Sequence, residues 1–455
     1  MRPYHVAIVG AGPSGFFAAA SLLKAADSTE DVDVAVDMLE MLPTPWGLVR
    51  SGVAPDHPKI KSISKQFEKT AEDPRFRFFG NVEVGEHVQP SELAERYDAV
   101  VYAVGAQSDR ALNIPGEDLP GSMSAVDFVG WYNAHPNFEQ STPDLSGARA
   151  VVVGNGNVAL DVARILVTDP DALKLTDIAD HALESLRPCG VDEVVVLGRR
   201  GPLQTAFTTL ELRELGELEG VDVIVDPAQL EGITDEDAAA AGKTTKQNIK
   251  VMREYAGRAP RPGHRRIVLR FLTSPIEITG DGKVERIVLG RNELVTDASG
   301  WVSAKDTGER EELPVQLVVR SVGYRGVPTP GLPFDEKTAT IPNTDGRVDG
   351  RRNEYVVGWI KRGPTGVIGT NKKDSQDTVD TLLADLARAD EGELAAFPPD
   401  HRDELAAWLA SRQPKLVTAA HWEVIDRHER AAGEPHGRPR VKLPNLTDLL
   451  RVGHG

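Results

Sequence analysis

Residues 10–15 read Gly10-Ala11-Gly12-Pro13-Ser14-Gly15 and lie between the apolar run His5–Val9 and the alanine-rich run Phe16–Ala25. These flanking runs predict a strand and then a helix, with the glycines in the turn between them. In that context Gly10 permits the tight turn, Gly12 lets a pyrophosphate approach the backbone, and Gly15 lets the helix pack on the strand. The stretch therefore predicts a dinucleotide-binding βαβ unit.

An acidic residue closes the next predicted strand. The strand predicted over Asp33–Leu39 is followed directly by Glu40. At this position a carboxylate can accept hydrogen bonds from ribose hydroxyls. A lone glycine motif is weak evidence, but the strand, the helix and the terminal acid together indicate that this first glycine-rich turn binds a dinucleotide.

A second glycine-rich turn reads Gly154-Asn155-Gly156-Asn157-Val158-Ala159. It follows the predicted strand Ala150–Val153 and leads into the predicted helix Ala159–Leu166, with alanine at the close-packing position. The sequence thus predicts a second nucleotide site in the same chain.

The strand after the second turn ends differently from the strand after the first. Glu193–Leu197 is followed by Gly198, Arg199 and Arg200. Two guanidinium groups suit a 2′-phosphate through charge-assisted, bidentate hydrogen bonds. The spacing from the turn is longer than usual, so Thr168–Pro188 is interpreted as an insertion. The pair predicts NADP as the nucleotide, with a solvated strand end as the alternative.

Two apolar runs that end in glycine mark the predicted domain boundaries. Ala99–Gly105 and Val315–Gly323 each read as a buried strand ending in a turn. The alternation of strands and helices predicts a doubly wound α/β architecture with two Rossmann-like domains. We expect an outer domain from residues 1–106 and 324–455, and an inserted domain from residues 107–323.

Other segments are less distinctive. Arg266–Ile276 and Val284–Leu289 are predicted as strands, and Thr208–Leu218 is predicted as a helical run. The tail after Lys415 is mixed in charge and shows little pattern, so it is assigned no chemistry.

Composition excludes several classes of protein. The formal charge of −17 argues against a nucleic-acid binder, and no apolar run is long enough to span a bilayer. Met1 leads almost directly into a strand, so we expect no signal peptide and a cytoplasmic location. The single cysteine, Cys189, excludes an internal disulfide, a cysteine redox pair and an iron–sulfur cluster held by this chain's own thiolates. No metal site is predicted.

Three local segments resemble the adrenodoxin reductase family, including its actinobacterial ferredoxin reductases. They read MLPTPWGLVRSGVAPDHP at 41–58, GRRGP at 198–202 and GWIKRGPTGVIGTN at 358–371. The resemblance covers nearly the whole chain. It implies FAD in the outer domain and NADPH in the inserted domain. It also implies that hydride passes from NADPH to FAD, and that single electrons then pass to ferredoxin or a similar iron–sulfur protein.

The same resemblance implies which residues contact each cofactor. On the FAD side these are Ser14, Glu40, Leu48, Val84, Trp359, Gly366, Val367 and Ile368. On the NADPH side they are Arg110, Asn155, Gly156, Asn157, Val158, Arg199, Arg200 and Glu211. Val84 is expected on the strand that reaches the adenine, and Trp359 is expected beside the isoalloxazine.

His57 resembles the histidine that the family places beside the flavin. Glu211 and Glu214 are three residues apart on one predicted helix and so share a face, from which Glu214 could hold the tautomer or the protonation state of His57. Their role is expected to be secondary, because hydride passes directly between nicotinamide and flavin and positioning dominates that step. A structural turn residue between two prolines is the alternative for His57.

The expected partner raises a question of charge. Ferredoxins are usually acidic and this chain is acidic too, so a local basic patch would have to overcome their long-range repulsion. Candidate residues for such a patch, with scattered solvation as the alternative, are Arg258, Arg261, Arg265, Arg266, Arg347, Arg351, Arg352, Lys361, Arg362, Lys372 and Lys373.

Two other functions stay open at this point. A FAD/NADPH-dependent monooxygenase of the same architecture would need a substrate cavity, and oxidation of the reduced protein by oxygen or by ferredoxin would distinguish it. A non-enzymatic nucleotide sensor predicts no turnover. A disulfide reductase is disfavoured, because its thiol pair requires two cysteines.

Overall fold

The computed structural model describes residues 3–28, 32–366, 368–389, 397–398 and 401–455. The chain forms two compact units. The first comprises Met1–Ser108, Asn133–Pro136 and Tyr324–Gly455. The second comprises Asp109–Tyr132 and Asn137–Gly323, so that it is inserted into the chain of the first. Asn133–Pro136 belong to the first unit although they lie within the range predicted for the inserted domain, and no feature of the sequence marks them.

The first unit is built on an eight-stranded sheet. Its five central strands are parallel and the strands at both edges are antiparallel. In spatial order they are Asn343–Thr344, Arg347–Val348, Glu354–Val356, Ala99–Tyr102, Tyr4–Val9, Val34–Glu40, Phe76–Gly80 and Val417–Thr418.

Buried apolar side chains explain why these central strands form. Every residue of Val34–Glu40 and of Ala99–Tyr102 is buried, as is typical of parallel strands covered on both faces. Tyr4–Val9 lies between these two strands. The strands that follow it in the chain are placed first on one side of it and then on the other. That arrangement is the topological switch point at which α/β sheets bind ligands, and the first glycine-rich turn lies there.

The helices of the first unit cover this sheet. They are Pro13–Ser28, Leu48–Ser51, Pro58–Lys61, Ser64–Ala71, Pro90–Arg96, Trp359–Arg362, Ile368–Arg388, His401–Arg412, Ala419–Gly433 and Leu446–His454, with a short 3₁₀ turn at Glu434–His436. Another 3₁₀ turn, Pro136–Phe138, begins in the first unit and ends in the second. The last two helices belong to the tail that showed little pattern. They pack into the core through residues that include Trp422, Ile425 and Leu449.

The second unit is built on a six-stranded parallel sheet. In spatial order its strands are Ser122–Ser124, Leu317–Arg320, Arg149–Val153, Glu193–Leu197, Arg265–Arg270 and Val221–Val225. Its helices are Ala125–Tyr132, Asn157–Val167, Pro170–Leu173, Asp180–Leu186, Thr209–Leu215, Asp235–Ala240 and Lys243–Ala256, with 3₁₀ turns at Pro202–Gln204 and Pro227–Leu230. The second glycine-rich turn follows the strand Arg149–Val153, which is the switch point of this sheet. The predicted fold class is confirmed.

A three-stranded antiparallel sheet, called here the meander, covers part of the second unit. Its strands are Thr273–Thr279, Arg286–Thr296 and Val302–Pro314. Its apolar side chains, among them Ile278 and Leu289, share one core cluster with Val151 and Leu197 of the parallel sheet. The outer end of the meander is exposed to solvent.

Several predicted elements were wrong in extent, among them the strand predicted over Val284–Leu289, which is observed over Arg286–Thr296. The single strand predicted over Arg266–Ile276 is two strands in two different sheets, because Leu272 adopts a positive φ of 52° and breaks the extended run. The helical run predicted over Thr208–Leu218 ends at Leu215, where Gly216 forms the C-cap. Among the described residues, none of the helices is both long enough and apolar enough to cross a membrane.

Candidate functional site

The first glycine-rich turn has the space that a phosphate requires. A Cβ on Gly10 would lie 2.5 Å from the carbonyl oxygen of Ala103, and a Cβ on Gly15 would lie 2.1 Å from that of Gly10. A Cβ on Gly12 would meet no protein atom within 4 Å. Two of the glycines are therefore required by the fold itself, whereas Gly12 borders open space at the start of the helix Pro13–Ser28. This geometry fits a nucleotide pyrophosphate.

Glu40 lies at the end of the adjacent strand, as predicted. Its carboxylate accepts hydrogen bonds from the backbone N–H groups of Ala11 (2.8 Å) and Leu42 (3.1 Å). Burial raises the pKa of Glu40, and these backbone bonds only partly oppose that effect. The carboxyl group is thus held rigidly beside the turn, in the position from which a sugar hydroxyl can be bound.

The segment around Leu48 lies directly on the turn. The backbone N–H of Trp46 donates to the carbonyl of Ala11 at 2.9 Å, and a Cβ on Gly47 would lie 2.8 Å from the Cα of Gly12. Trp46 holds an uncommon positive φ of 84°. Leu48 follows at the start of a short helix, partly exposed. The structure therefore brings Gly47, the residue before Leu48, against Gly12, and the contact between Leu48 and FAD stays a prediction.

Ser14 and the late segment also meet. A Cβ on Gly358 would lie 2.3 Å from Ser14 Oγ, and the Ser375 hydroxyl donates to the Ser14 carbonyl at 3.0 Å. Trp359 follows, and its ring centroid lies 5.2 Å from that of Tyr324. Residues more than 300 positions apart thus converge on the first turn.

The remaining predicted residues of the first unit are less closely placed. Gly366 has a positive φ of 83° and Ile368 begins a long helix, while Val367 lies outside the described residues. The expectation that Val84 lies on a strand of the sheet is wrong. Val84 forms an isolated bridge with Val88 in the loop after the strand Phe76–Gly80, because the chain turns back at Gly85.

The second glycine-rich turn repeats the geometry of the first. A Cβ on Gly154 would lie 2.1 Å from the carbonyl oxygen of Ser321, whereas one on Gly156 would meet no protein atom within 4 Å. Gly156 is the N-cap of the helix Asn157–Val167, so backbone N–H groups border the open space. The Asn157 side chain accepts from the backbone N–H of Thr208 at 2.8 Å, which ties the turn to the following loop. This site also fits a phosphate.

Arg199 and Arg200 follow the next strand, as predicted, and their surroundings were not foreseen. The Asn292 side chain donates to the carbonyl of Arg199 at 2.9 Å. The backbone N–H of Leu272 donates to the carbonyl of Arg200 at 3.0 Å. The Arg200 guanidinium carbon lies 5.5 Å from the ring centroid of Trp301. Asn292 and Trp301 belong to the meander, and no local motif marks either residue.

Glu211 and Glu214 lie on the helix Thr209–Leu215 but differ in burial. Glu211 is buried, with its carboxylate 3.5 Å from Arg164, whereas Glu214 is partly exposed. Arg110 is exposed, and its backbone N–H donates to the carbonyl of Gly323 at 3.2 Å.

His57 is half-buried at the N-cap of the helix Pro58–Lys61. It belongs to the first unit and Glu214 belongs to the second. Their pairing stays a prediction.

A buried ion-pair network, which the sequence did not predict, supports the segment around Leu48. Arg50 donates to both carboxylate oxygens of Glu429 at 2.8 and 2.5 Å, and Arg440 lies 3.1 Å from the same carboxylate. Lys442 donates to the carbonyl of Arg50 at 2.9 Å. Burial disfavours the charge on Glu429, but Arg50 and Arg440 more than offset that cost and hold its pKa below the ordinary value. The tail therefore anchors the segment that lies on the first turn.

Comparison with known proteins gives one consistent result. Residues 4–262 match the pyridine nucleotide-disulphide oxidoreductase family. The chain is 80% identical to the NADPH-ferredoxin reductase FprA of Mycobacterium leprae, over all of both proteins. It is 43% identical to human mitochondrial NADPH:adrenodoxin oxidoreductase, over 99% of this chain and 92% of that protein.

The chain belongs to the adrenodoxin reductase family. A solved structure of this family, Mycobacterium tuberculosis FprA in complex with NADPH, matches the fold with a TM-score of 0.99 at 80% identity and covers all of both chains. The family predicted from the three local segments is confirmed. Membership in the adrenodoxin reductase family also agrees with the open space beside Gly12 and Gly156 in one chain.

Proposed function

We propose that this protein is an NADPH–ferredoxin oxidoreductase, which moves hydride from NADPH to FAD and then delivers single electrons to ferredoxin or a similar iron–sulfur protein. One observation carries the proposal. Two glycine-rich turns of the same geometry are followed by strand ends of opposite charge, Glu40 in one unit and Arg199 with Arg200 in the other. A nucleotide with free ribose hydroxyls suits the first, and one with a 2′-phosphate suits the second.

The first unit is proposed to hold FAD, which when bound accepts two electrons as hydride and releases them one at a time. The backbone at Gly12 would bind the pyrophosphate, and the carboxylate of Glu40 would accept a hydrogen bond from the ribose. Leu48 and Trp359 would exclude water from the rings. Residues 1–106 and 324–455 are the expected extent of this domain, and Val84, Gly366, Val367 and Ile368 are proposed as further contacts.

The second unit, expected over residues 107–323, is proposed to hold NADPH. The helix that begins after Gly156 would face the pyrophosphate with its backbone N–H groups. Arg199 and Arg200 would form charge-assisted bonds with the 2′-phosphate. The further proposed contacts are Arg110, Asn155, Asn157, Val158 and Glu211.

His57 and Glu214 are proposed to position groups rather than to transfer protons. Hydride transfer from nicotinamide to flavin requires no general acid or base, so their contribution would lie in ring orientation and in the exclusion of water. Substitution of either residue should change the rate of hydride transfer. The dependence of that rate on pH should keep the same shape on the acid side.

An iron–sulfur protein is the proposed electron acceptor, and charge bears on how it binds. Several residues of the candidate basic patch are paired with acids of their own unit: Arg261 with Asp222, Arg266 with Glu193, Arg347 with Asp385, Lys361 with Asp374, and Lys373 with Asp377. Such pairs reduce the positive field at a distance. We therefore propose that short-range contacts, more than long-range steering, select the partner.

A cytoplasmic location is proposed from the cysteine content. The chain has one cysteine, Cys189, and so no internal disulfide of the kind that stabilises many exported proteins.

The absorption spectrum of the purified protein tests the proposal. A yellow protein that is bleached anaerobically by NADPH at lower concentration than by NADH, and that then reduces cytochrome c only when ferredoxin is added, is the expected result. Colourless protein that takes up no FAD would contradict it, and so would NADPH oxidation that is independent of ferredoxin and yields an oxygenated product.

A further inference from the structure

The exposed end of the meander is a feature that the proposed reaction does not use. The strands Arg286–Thr296 and Val302–Pro314 extend beyond the core, and the turn between them carries Trp301, which is 62% exposed. A large aromatic side chain left this far in solvent forgoes most of the free energy of burial. Trp301 nevertheless has a charged partner in the same unit.

That partner is Arg200. The guanidinium carbon of Arg200 lies 5.5 Å from the ring centroid of Trp301, within the range of a cation–π interaction. The turn that carries the indole is itself fixed, because the carboxylate of Asp297 accepts from the backbone N–H of Trp301 at 3.0 Å and from that of Ser299 at 2.8 Å. The indole is thus presented to Arg200 from an ordered turn.

The backbone beneath the two arginines is held by the same sheet. Asn292 is buried, and its amide donates to the carbonyl of Arg199 at 2.9 Å and to Ser274 Oγ at 2.7 Å. Its backbone N–H donates to the carbonyl of Leu272 at 2.7 Å. The ladder of the meander shifts register between Gly290 and Asn292. The meander therefore fixes both the backbone of Arg199 and the side chain of Arg200.

We infer that Trp301 is a positioning residue for the recognition of the 2′-phosphate, acting through Arg200, with Asn292 fixing the loop below. The inference rests on the proposed function, in which Arg199 and Arg200 bind that phosphate. A free arginine side chain loses rotamer entropy when it binds, and an arginine already held against an indole loses less. Trp301 thus contributes to the preference for NADPH over NADH without touching the reacting rings.

The test uses the FAD-containing protein and two fragments, 2′,5′-ADP and 5′-ADP, measured by titration calorimetry. In Trp301→Ala the Kd of 2′,5′-ADP should rise about two- to fivefold, which is the size of an exposed cation–π interaction, while the Kd of 5′-ADP stays unchanged. Trp301→Phe should restore part of the loss. Val295→Ala removes another exposed apolar side chain of the meander and should change neither constant.

Steady-state kinetics give a second readout. Trp301→Ala should raise the KM for NADPH by a similar factor, with kcat and the KM for NADH unaffected. An equal loss for both fragments would show that Trp301 is merely structural and would overturn the inference, as would wild-type affinity in Trp301→Ala. If wild-type protein itself bound 2′,5′-ADP no better than 5′-ADP, the inference and the proposed NADPH site would fail together.

Discussion

The two glycine-rich turns of this chain have nearly the same geometry and very different surroundings. At each turn one glycine leaves open space in front of a helix N-terminus, at Gly12 and at Gly156. After the first turn, Glu40 is buried and held by backbone N–H groups. After the second, Arg199 is exposed, Arg200 is half-buried, and both are supported by the meander.

This difference separates two tasks that a nucleotide site must perform. In the proposed function each turn binds a pyrophosphate, which FAD and NADPH share, and this explains why the two turns have the same geometry. The strand end is proposed to distinguish one sugar from another, and this explains why it differs in charge. The comparison also shows that an acid can be fixed locally by backbone donors, whereas the two arginines, one exposed and one half-buried, are supported by a separate structural element.

The largest predicted effect comes from filling the open space of each turn. Gly12→Ala should yield protein that retains its fold but loses FAD, with affinity reduced about 100-fold or more, because the added methyl group occupies the place of the pyrophosphate. Gly156→Ala should retain FAD and lose NADPH to a similar degree. Absorbance at purification and anaerobic titration with NADPH would measure both.

Gly10→Ala provides the contrasting control. Its Cβ would lie 2.5 Å from the carbonyl oxygen of Ala103 and its φ is 108°, so this change should disrupt the fold as well as binding. Circular dichroism would separate the two outcomes. Retention of FAD by Gly12→Ala would show that the first turn does not contact the pyrophosphate.

The second prediction exchanges the charge at the strand end. The double variant Arg199→Gln/Arg200→Gln should lower kcat/KM for NADPH about 100-fold and leave that for NADH nearly unchanged, since two charge-assisted hydrogen bonds to phosphate are lost. Arg258→Gln, which alters another exposed arginine of the second unit, is the matched control. Equal losses with both nucleotides would mean that the arginines do not read the 2′-phosphate.

The third prediction concerns acid. Burial and the charge of Arg50 lower the pKa of His135 to about 4, below its ordinary value of about 6.5. The unfolded chain therefore takes up this proton first, so stability is full above pH 6.5 and falls as the pH drops towards 4. The low pKa of Glu429 adds a further loss below about pH 4.5.

Thermal unfolding between pH 8 and pH 4 measures this effect, with the increase in FAD fluorescence on release of the cofactor as the signal. The midpoint should be flat above pH 6.5 and then fall by several degrees. His135→Gln should flatten the part of the curve between pH 6.5 and 5. A slope that is unchanged in this variant would assign the acid sensitivity to other groups.

Features whose parts are neighbours in the chain could be predicted from the sequence, and features that depend on distant residues could not. The places of both turns, of Glu40 and of the arginine pair in the fold were predicted correctly, because strand, turn and helix lie next to one another in the chain. Val84 was misplaced because the fold of a loop depends on contacts that periodicity does not report. The roles of Asn292 and Glu429 were missed for the same reason, since their partners lie more than 90 residues away.

The smallest predicted effect is on salt dependence, and it is measured first on the wild-type protein. Arg199 is exposed, so its attraction to a 2′-phosphate is screened once the Debye length falls to about 10 Å at 0.1 M salt. Between about 0.02 and 0.2 M salt the Kd of 2′,5′-ADP should rise two- to threefold. FAD, whose proposed site offers a buried carboxylate and backbone donors, should be retained equally well. The Kd of 2′,5′-ADP should depend more steeply on salt concentration than the Kd of 5′-ADP. This difference between the two fragments should disappear in Arg199→Gln/Arg200→Gln. Equal slopes for the two fragments in the wild-type protein would mean that the extra phosphate meets no net positive charge, and the distinction between the two strand ends would then rest on shape alone.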